Sequence, residues 1–434
     1  MIERLIMFKN KEENLENFVS ARYGLFIHYG LYSLLGRGEW TLNKELIDID
    51  EYKRMASSFK AENFDADKIC ALAKASGMSY ICLTTMHHEG FMLYDSDLSD
   101  FCTTKTACGR DLVAETIAAA RKHGLRVHLY HSLNHWTCDP SSSAALESKE
   151  AYEKFIAFTF ARIKELVTKY SPIDVLWYDG WWPFNAKEWM AEEMNKMVLK
   201  IQPWLIFNGR NCLPGDFTTP EGHMSAPKPW RPWEACLTLN DNWAYVKGDD
   251  NWKSASHVIS MLLCAAKGNG NLLLGIGPEP DGSIPVKAEE IMLEVGNWIK
   301  SNREAVYNTE VFDMGLMERG EHRSDWSHVC EYTASGNNLY LTVKFWPGEV
   351  LTITGLNTKP QRISMPENGK EFPFDYNPAK GKLTIKELPE VLPGRRPVFK
   401  VECTDLPEIY RCGGMHTPCV QHPPYDPCPS DLKS

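Results

Sequence analysis

Two adjacent histidines and a glutamate, His87-His88-Glu89, close the apolar run YICLTTM. Side by side, such histidines could bind a metal, exchange protons or hydrogen-bond a ligand. Metal ligands favour wider spacings, and neighbours on a strand point to opposite faces, so a shared ion requires the strand to have ended before His87. Other apolar runs also close on polar residues: His28 after GLFI, Tyr130-His131 after LRVHL, Asp179 after VLWY, and Asn208-Gly209-Arg210 after WLIF. Asp179 precedes Gly180-Trp181-Trp182, which sets a carboxylate among aromatic rings. It could cap the helix expected over NAKEWMAEEMNKMV, but WWPF separates the two. A carboxylate so placed suits a nucleophile or a stabiliser of a cationic transition state, as in sugar cleavage, which calls for a second carboxylic acid. Glu221 in GDFTTPEGH and Glu234 in RPWEACL, both on Pro-rich segments expected to be loops, are the candidates. Glu39-Trp40, His87, His88, Tyr130 and Arg210 complete a set of donors and acceptors matched to the hydroxyls of one sugar.

These residues need a frame that gathers strand ends. Strand-like runs alternate with helical stretches through the first three hundred residues: DADKICALAKASG, RDLVAETIAAARKHG, EAYEKFIAFTFARIKELVTKY, ASHVISMLLCAAKG and VKAEEIMLEVGNWIKSN. That order predicts a parallel sheet, and its length favours a closed (β/α)8-like barrel over an open doubly wound sheet. In such a barrel the chemistry gathers at the C-terminal strand ends, where the polar residues above fall. Beyond about residue 320 the pattern changes to HVCEYTA, NLYLTVKFW, EVLTITGL, KLTIKEL and VFKVEC, which predicts a small antiparallel β-sandwich. The expected division is a catalytic barrel over 1–315, a sandwich over 316–405 and an irregular Pro- and Cys-rich tail over 406–434. His416, Cys419, His422 and Cys428 in that tail are too irregularly spaced to argue strongly for zinc.

The formal net charge of -10 argues against nucleic acid, whose phosphates demand clustered Lys and Arg. There is no run of 18 apolar residues, and the N-terminal apolar patch is broken by Glu3, Arg4 and Lys9. The expectation is a soluble, cytoplasmic protein without a membrane partner, unless an export segment has been removed. Thirteen cysteines, an odd number scattered over apolar runs, suit reduced thiols better than a disulfide framework. Homo-oligomerisation stays open.

Six ordered segments carry a family resemblance: RYGLFIHYGLYSLLGRGEW, MHHEGFMLYDSDLSDF, GRDLVAETIAAARKHGLRVHLYHSLNHW, WYDG, GDFTTPE and GNGNLLLGIGPEPDGSIP. Over roughly residues 18 to 310 the chain resembles the family 29 α-L-fucosidases. The resemblance implies a retaining exo-glycosidase on a (β/α)8-like barrel with a C-terminal β-sandwich, a fucosylated glycan as substrate, and no metal or other cofactor. It implies Asp179 as nucleophile and Glu221 as acid/base, with Glu234 in reserve. His28, Glu39, Trp40, His87, His88 and Tyr130 would hold the sugar, and Arg210 would contact it near the nucleophile. Tyr29, His131 and Gly275 depart from the family pattern, which expects Trp, a second Tyr and Asn there. Alternatives are a related L-galacto-configured substrate, a sugar-binding protein without turnover, and a metal-dependent hydrolase using the histidine pair.

Overall fold

The computed structural model describes residues 10–312, 330–392 and 395–408. Seven strands form one parallel sheet: β1 (Tyr23–Ile27), β2 (Tyr80–Met86), β3 (Arg126–Ser132), β4 (Val175–Asp179), β5 (Ile206–Phe207), β6 (Glu234–Thr238) and β7 (Asn271–Ile276). Their order is β5-β4-β3-β2-β1-β7-β6, so the first strand pairs with both the second and the last. The remaining gap, between β5 and β6, is spanned by an irregular eighth segment. Asn208 bridges Phe217 on one side, and Thr218 and Glu221 bridge Trp233 and Cys236 on the other, all in parallel. The expected (β/α)8-like ring is thereby completed.

These strands are buried on both faces, with β1, β2, β4 and β7 buried at every position, as expected of a parallel sheet covered by helices. Helices Ala66–Ala75, Leu112–Lys122 and Lys149–Lys169 start at Asp65, Asp111 and Ser148. Each cap accepts a hydrogen bond from the backbone N–H three residues on, an interaction worth about 1 kcal/mol. One alternate set of strand residues, including Phe26, Tyr80, Cys82, Tyr130, Val175, Trp177, Cys236 and Leu273, packs together as a single cluster. With a side-chain period of two, His28 and Asp179 continue the parity of Phe26 and Trp177 and emerge above it.

The described residues divide into two compact units, one of residues 10–258 with 270–297, the other of residues 259–269 with those described from 298 onward. The second contains β8 (Cys330–Ser335), β9 (Asn338–Val343), β10 (Leu351–Thr354), β11 (Pro360–Ser364), β12 (Phe374–Asn377), β13 (Lys382–Ile385) and β14 (Val398–Cys403). They form antiparallel sheets ordered β11-β14-β9-β8 and β10-β13-β12. Leu339, Leu341, Phe399 and Val401 from one sheet share a core with Leu351, Leu383 and Ile385 from the other, which makes the expected sandwich. Strands β11 and β12 were not foreseen. His416, Cys419, His422 and Cys428 of the tail, set aside above as zinc ligands, lie outside the described residues.

Candidate active site

A cavity of about 190 Å3 opens where the barrel strands end. This is small beside the ~300–1,000 Å3 of pockets for drug-sized ligands, and suits one sugar ring. All the residues expected to hold a sugar, together with Asp179 and Glu221, line it.

Asp179 ends β4, and both of its oxygens are engaged. Arg210 Nη1 donates to Oδ1 at 3.0 Å, and the Tyr130 hydroxyl donates to Oδ2 at 2.8 Å. Arg210 Nη2 donates to Glu221 Oε2 at 2.6 Å, while its Nε donates to Thr219 Oγ1 at 3.0 Å. One guanidinium therefore joins two carboxylates and crosses the rings of Trp177 and Trp181, 4.7 and 5.6 Å from their centroids. Arg suits this because its planar fork presents two parallel donors. Arg210 and Tyr130, expected to touch the sugar, line the cavity and also donate to the carboxylates.

β2 ends at Met86, after a register shift against β3 between Thr84 and Met86. That termination lets His87 and His88 face the same cavity, their ring centroids 4.0 Å apart. Burial pushes both imidazoles down from their usual value, aided by repulsion from His88 at His87 and from His28 and Arg210 at His88, which falls to about 3. Burial and His87 depress His28 in the same way. All three are therefore neutral near pH 7, each presenting one donor and one acceptor. Nitrogens of His87 and His88 and an oxygen of Asp179 lie within 4.8 Å of one another, close enough for a metal to be considered.

Glu39 follows the Gly36-Arg37-Gly38 turn, which is tied to a distant loop by an Arg37–Val246 bridge and by Lys247 N–H donating to the Gly36 carbonyl. The same loop supplies the Ala244 N–H, which donates to Glu39 Oε2 at 3.2 Å. Burial raises the Glu39 carboxyl above its ordinary range. Trp40 stacks on Trp182, with centroids 5.7 Å apart and an angle of 18°.

Several lining residues had no signal in the sequence. Trp243 sits in the irregular stretch NDNWAY and stacks on His28 at 5.1 Å, making with Phe26 and Trp177 an apolar wall. Gly275 permits it, since a Cβ there would lie 2.9 Å from the Trp243 ring. His131 and Asn208, which also close apolar runs, do not line the cavity. His131 has the opposite parity to Tyr130 and meets Arg162 of helix Lys149–Lys169. Asn208 instead exchanges side-chain hydrogen bonds with the Tyr178 backbone.

Glu234 requires a correction. It begins a strand rather than lying on a loop, and is fully buried at the N-terminal end of β6, two residues below Cys236 of the cavity lining. Tyr80 and Trp177 donate to its two oxygens at 2.6 and 3.0 Å. This position under the cavity floor does not serve a proton donor to a ligand above it. Burial holds the Glu234 carboxyl up at about 7 despite those two hydrogen bonds. Because the folded value exceeds the unfolded one, the stability present below about pH 4.5 is lost as pH rises through 7. Glu234→Gln should therefore gain on the wild type by on the order of 3 kcal/mol at alkaline pH. Thermal melts at pH 5 and pH 8 check this: the gap should open with pH, and a constant gap would contradict the assignment.

The ring of strands and the carboxylates at its C-terminal rim define a class, the barrel proteins that bind small ligands at their strand ends. A profile of the alpha-L-fucosidase family matches residues 6–304, and the chain belongs to that family. Bovine tissue alpha-L-fucosidase is 29% identical over 414 residues, covering 88% of this chain and 86% of the bovine one. Rat plasma alpha-L-fucosidase is 31% identical over 332 residues, 68% of this chain and 71% of the relative. Among solved structures, alpha-L-fucosidase isoenzyme 1 from Paenibacillus thiaminolyticus superposes with a TM-score of 0.82 at 29% identity, covering 91% of this chain and all of that one. A family 29 alpha-L-fucosidase from Bacteroides thetaiotaomicron, solved as a trapped covalent intermediate, gives a TM-score of 0.76 at 25% identity, with 92% and 98% covered.

Proposed function

We propose that this protein is a retaining exo-α-L-fucosidase that removes terminal α-L-fucose from glycans, with Asp179 as nucleophile and Glu221 as acid/base. The observation that carries this reading is the single guanidinium of Arg210, which donates to both carboxylates at the cavity and so holds together the pair of acids that glycoside cleavage requires. Asp179 attacks the anomeric carbon while protonated Glu221 gives its proton to the departing glycosidic oxygen. Water then attacks the glycosyl ester, Glu221 takes its proton, and Asp179 leaves as carboxylate. Arg210 and Tyr130 orient Asp179, and Arg210 engages only Oε2 of Glu221, which leaves Oε1 for the proton transfer. Neutral His28, His87 and His88, with Glu39, receive the ring hydroxyls. The Phe26, Trp177 and Trp243 wall receives the C6 methyl. A cavity with room for one sugar ring supports removal of terminal residues.

A cation between His87, His88 and Asp179 is disfavoured on electrostatic grounds. The Arg210 guanidinium already sits against Asp179, with Nη1 3.0 Å from Oδ1, and a second cation there would be repelled by it. Purified protein assayed on a panel of aryl glycosides tests the substrate. The α-L-fucoside should be hydrolysed, with no loss on chelation, and the α-L-galactoside should be slower by roughly a hundredfold, the discrimination an apolar pocket achieves against an added hydroxyl. Equal rates on the two would contradict the assignment of the apolar wall.

A further inference from the structure

We infer that Ser132 is a positioning residue that locks His88 in the Nδ1–H tautomer, so that Nε2 offers only a lone pair to the cavity. The Ser132 hydroxyl lies 2.8 Å from the Asn134 carbonyl, which can only accept, so its single proton is directed there. Its oxygen also lies 2.7 Å from His88 Nδ1. Having no second proton, it accepts, and Nδ1 must carry the hydrogen. Neutral imidazole has one N–H, so Nε2, 3.7 Å from Asp179 Oδ2, is an acceptor.

A second relay on the other face of β3 obeys the same rule with an independent check. The Thr85 hydroxyl donates to the Tyr130 carbonyl at 2.7 Å and lies 2.9 Å from His131 Nδ1. Arg162, which can only donate, is 2.9 Å from His131 Nε2, so that nitrogen is the acceptor and Nδ1 again bears the proton. Arg162 also donates to the Ser132 and Leu133 carbonyls, each at 3.2 Å, which fixes the strand end that presents Ser132. Gly180, at φ +69°, closes the other side of the His88 pair. A Cβ there would lie 2.8 Å from Ser132 Oγ and 2.9 Å from His88 Nδ1.

Two acceptors, His88 Nε2 and Asp179 Oδ2, thus border one part of the cavity. A group bound there must bring its own proton, as a sugar hydroxyl does and a carbonyl oxygen does not. This last step rests on the fucosidase reading, whereas the tautomer does not.

Nitrogen-15 NMR of ligand-free protein, with His88 assigned by the loss of its signals in His88→Gln, tests the tautomer without any substrate. The expected spectrum has a protonated Nδ1 and an unprotonated Nε2 at neutral pH. An Nε2–H tautomer in the wild type would overturn the inference even if the protein hydrolyses fucosides; the expected spectrum with no fucoside hydrolysis would instead sink the functional reading alone. In Ser132→Ala the lock is gone, so Nε2–H should become populated and kcat/KM for an aryl fucoside should fall roughly tenfold, with Ser132→Thr restoring the wild-type tautomer. An unchanged tautomer in folded Ser132→Ala would also overturn it.

Discussion

Asp179→Gly should lower turnover of every fucoside by on the order of 10⁴-fold or more, because no glycosyl ester can form without the carboxylate. The fold should tolerate the change: Asp179 ends its strand at the cavity, where water can fill the vacated space, and Arg210 keeps Glu221 as an ionic partner. The loss is therefore chemical, and small anions should reveal it. Azide can enter the vacated space on the face from which Asp179 attacks. It displaces the leaving group directly, with Glu221 still donating the proton, and the product is β-fucosyl azide. Product configuration read by NMR, together with a near-native melting temperature, checks this prediction. Recovery of α-fucosyl azide from Asp179→Gly would place the nucleophile elsewhere.

Glu221→Ala should divide substrates by leaving group. An aryl fucoside whose phenolate departs without a proton should still fucosylate Asp179, whereas an oligosaccharide should lose roughly 10²–10⁴-fold in rate. The ester then waits for water that no base activates. Azide needs no base, attacks from the face that Glu221 occupied, and yields α-fucosyl azide. Stability should barely change, because the Arg210–Glu221 contact has a 45% exposed carboxylate, and ion pairs so open to water contribute little. Intact oligosaccharide turnover in Glu221→Ala would remove Glu221 from the mechanism.

The fold was largely legible because a parallel barrel repeats a strong signal, a short apolar run followed by a capped amphipathic helix. β6 was missed for a physical reason: EACLT is five residues long, follows Pro229 and Pro232, and opens on a glutamate that only its buried partners Tyr80 and Trp177 accommodate. The histidine pair was placed at a strand end, but not the parity of its neighbours. In strands buried on both faces, apolar residues fill both parities, so nothing in LRVHLYH distinguishes Tyr130, which points inward to Asp179, from His131, which points out to Arg162. Trp243 was illegible because it comes from an irregular loop held by long-range contacts at Glu39 and Gly36. The carboxylate bridge by Arg210 could not be foreseen either, since the spacing of residues 179, 210 and 221 carries no information on where two loops meet.

The anomeric configuration of the first-formed sugar tests the central claim most directly, since it reports whether the protein itself bonds to the anomeric carbon. Wild-type protein mixed with an aryl α-L-fucoside and followed by proton NMR, within the time before the free sugar mutarotates, should show α-fucose first and β-fucose only later. β-Fucose as the initial product would mean a single displacement by water, and would contradict the role assigned to Asp179.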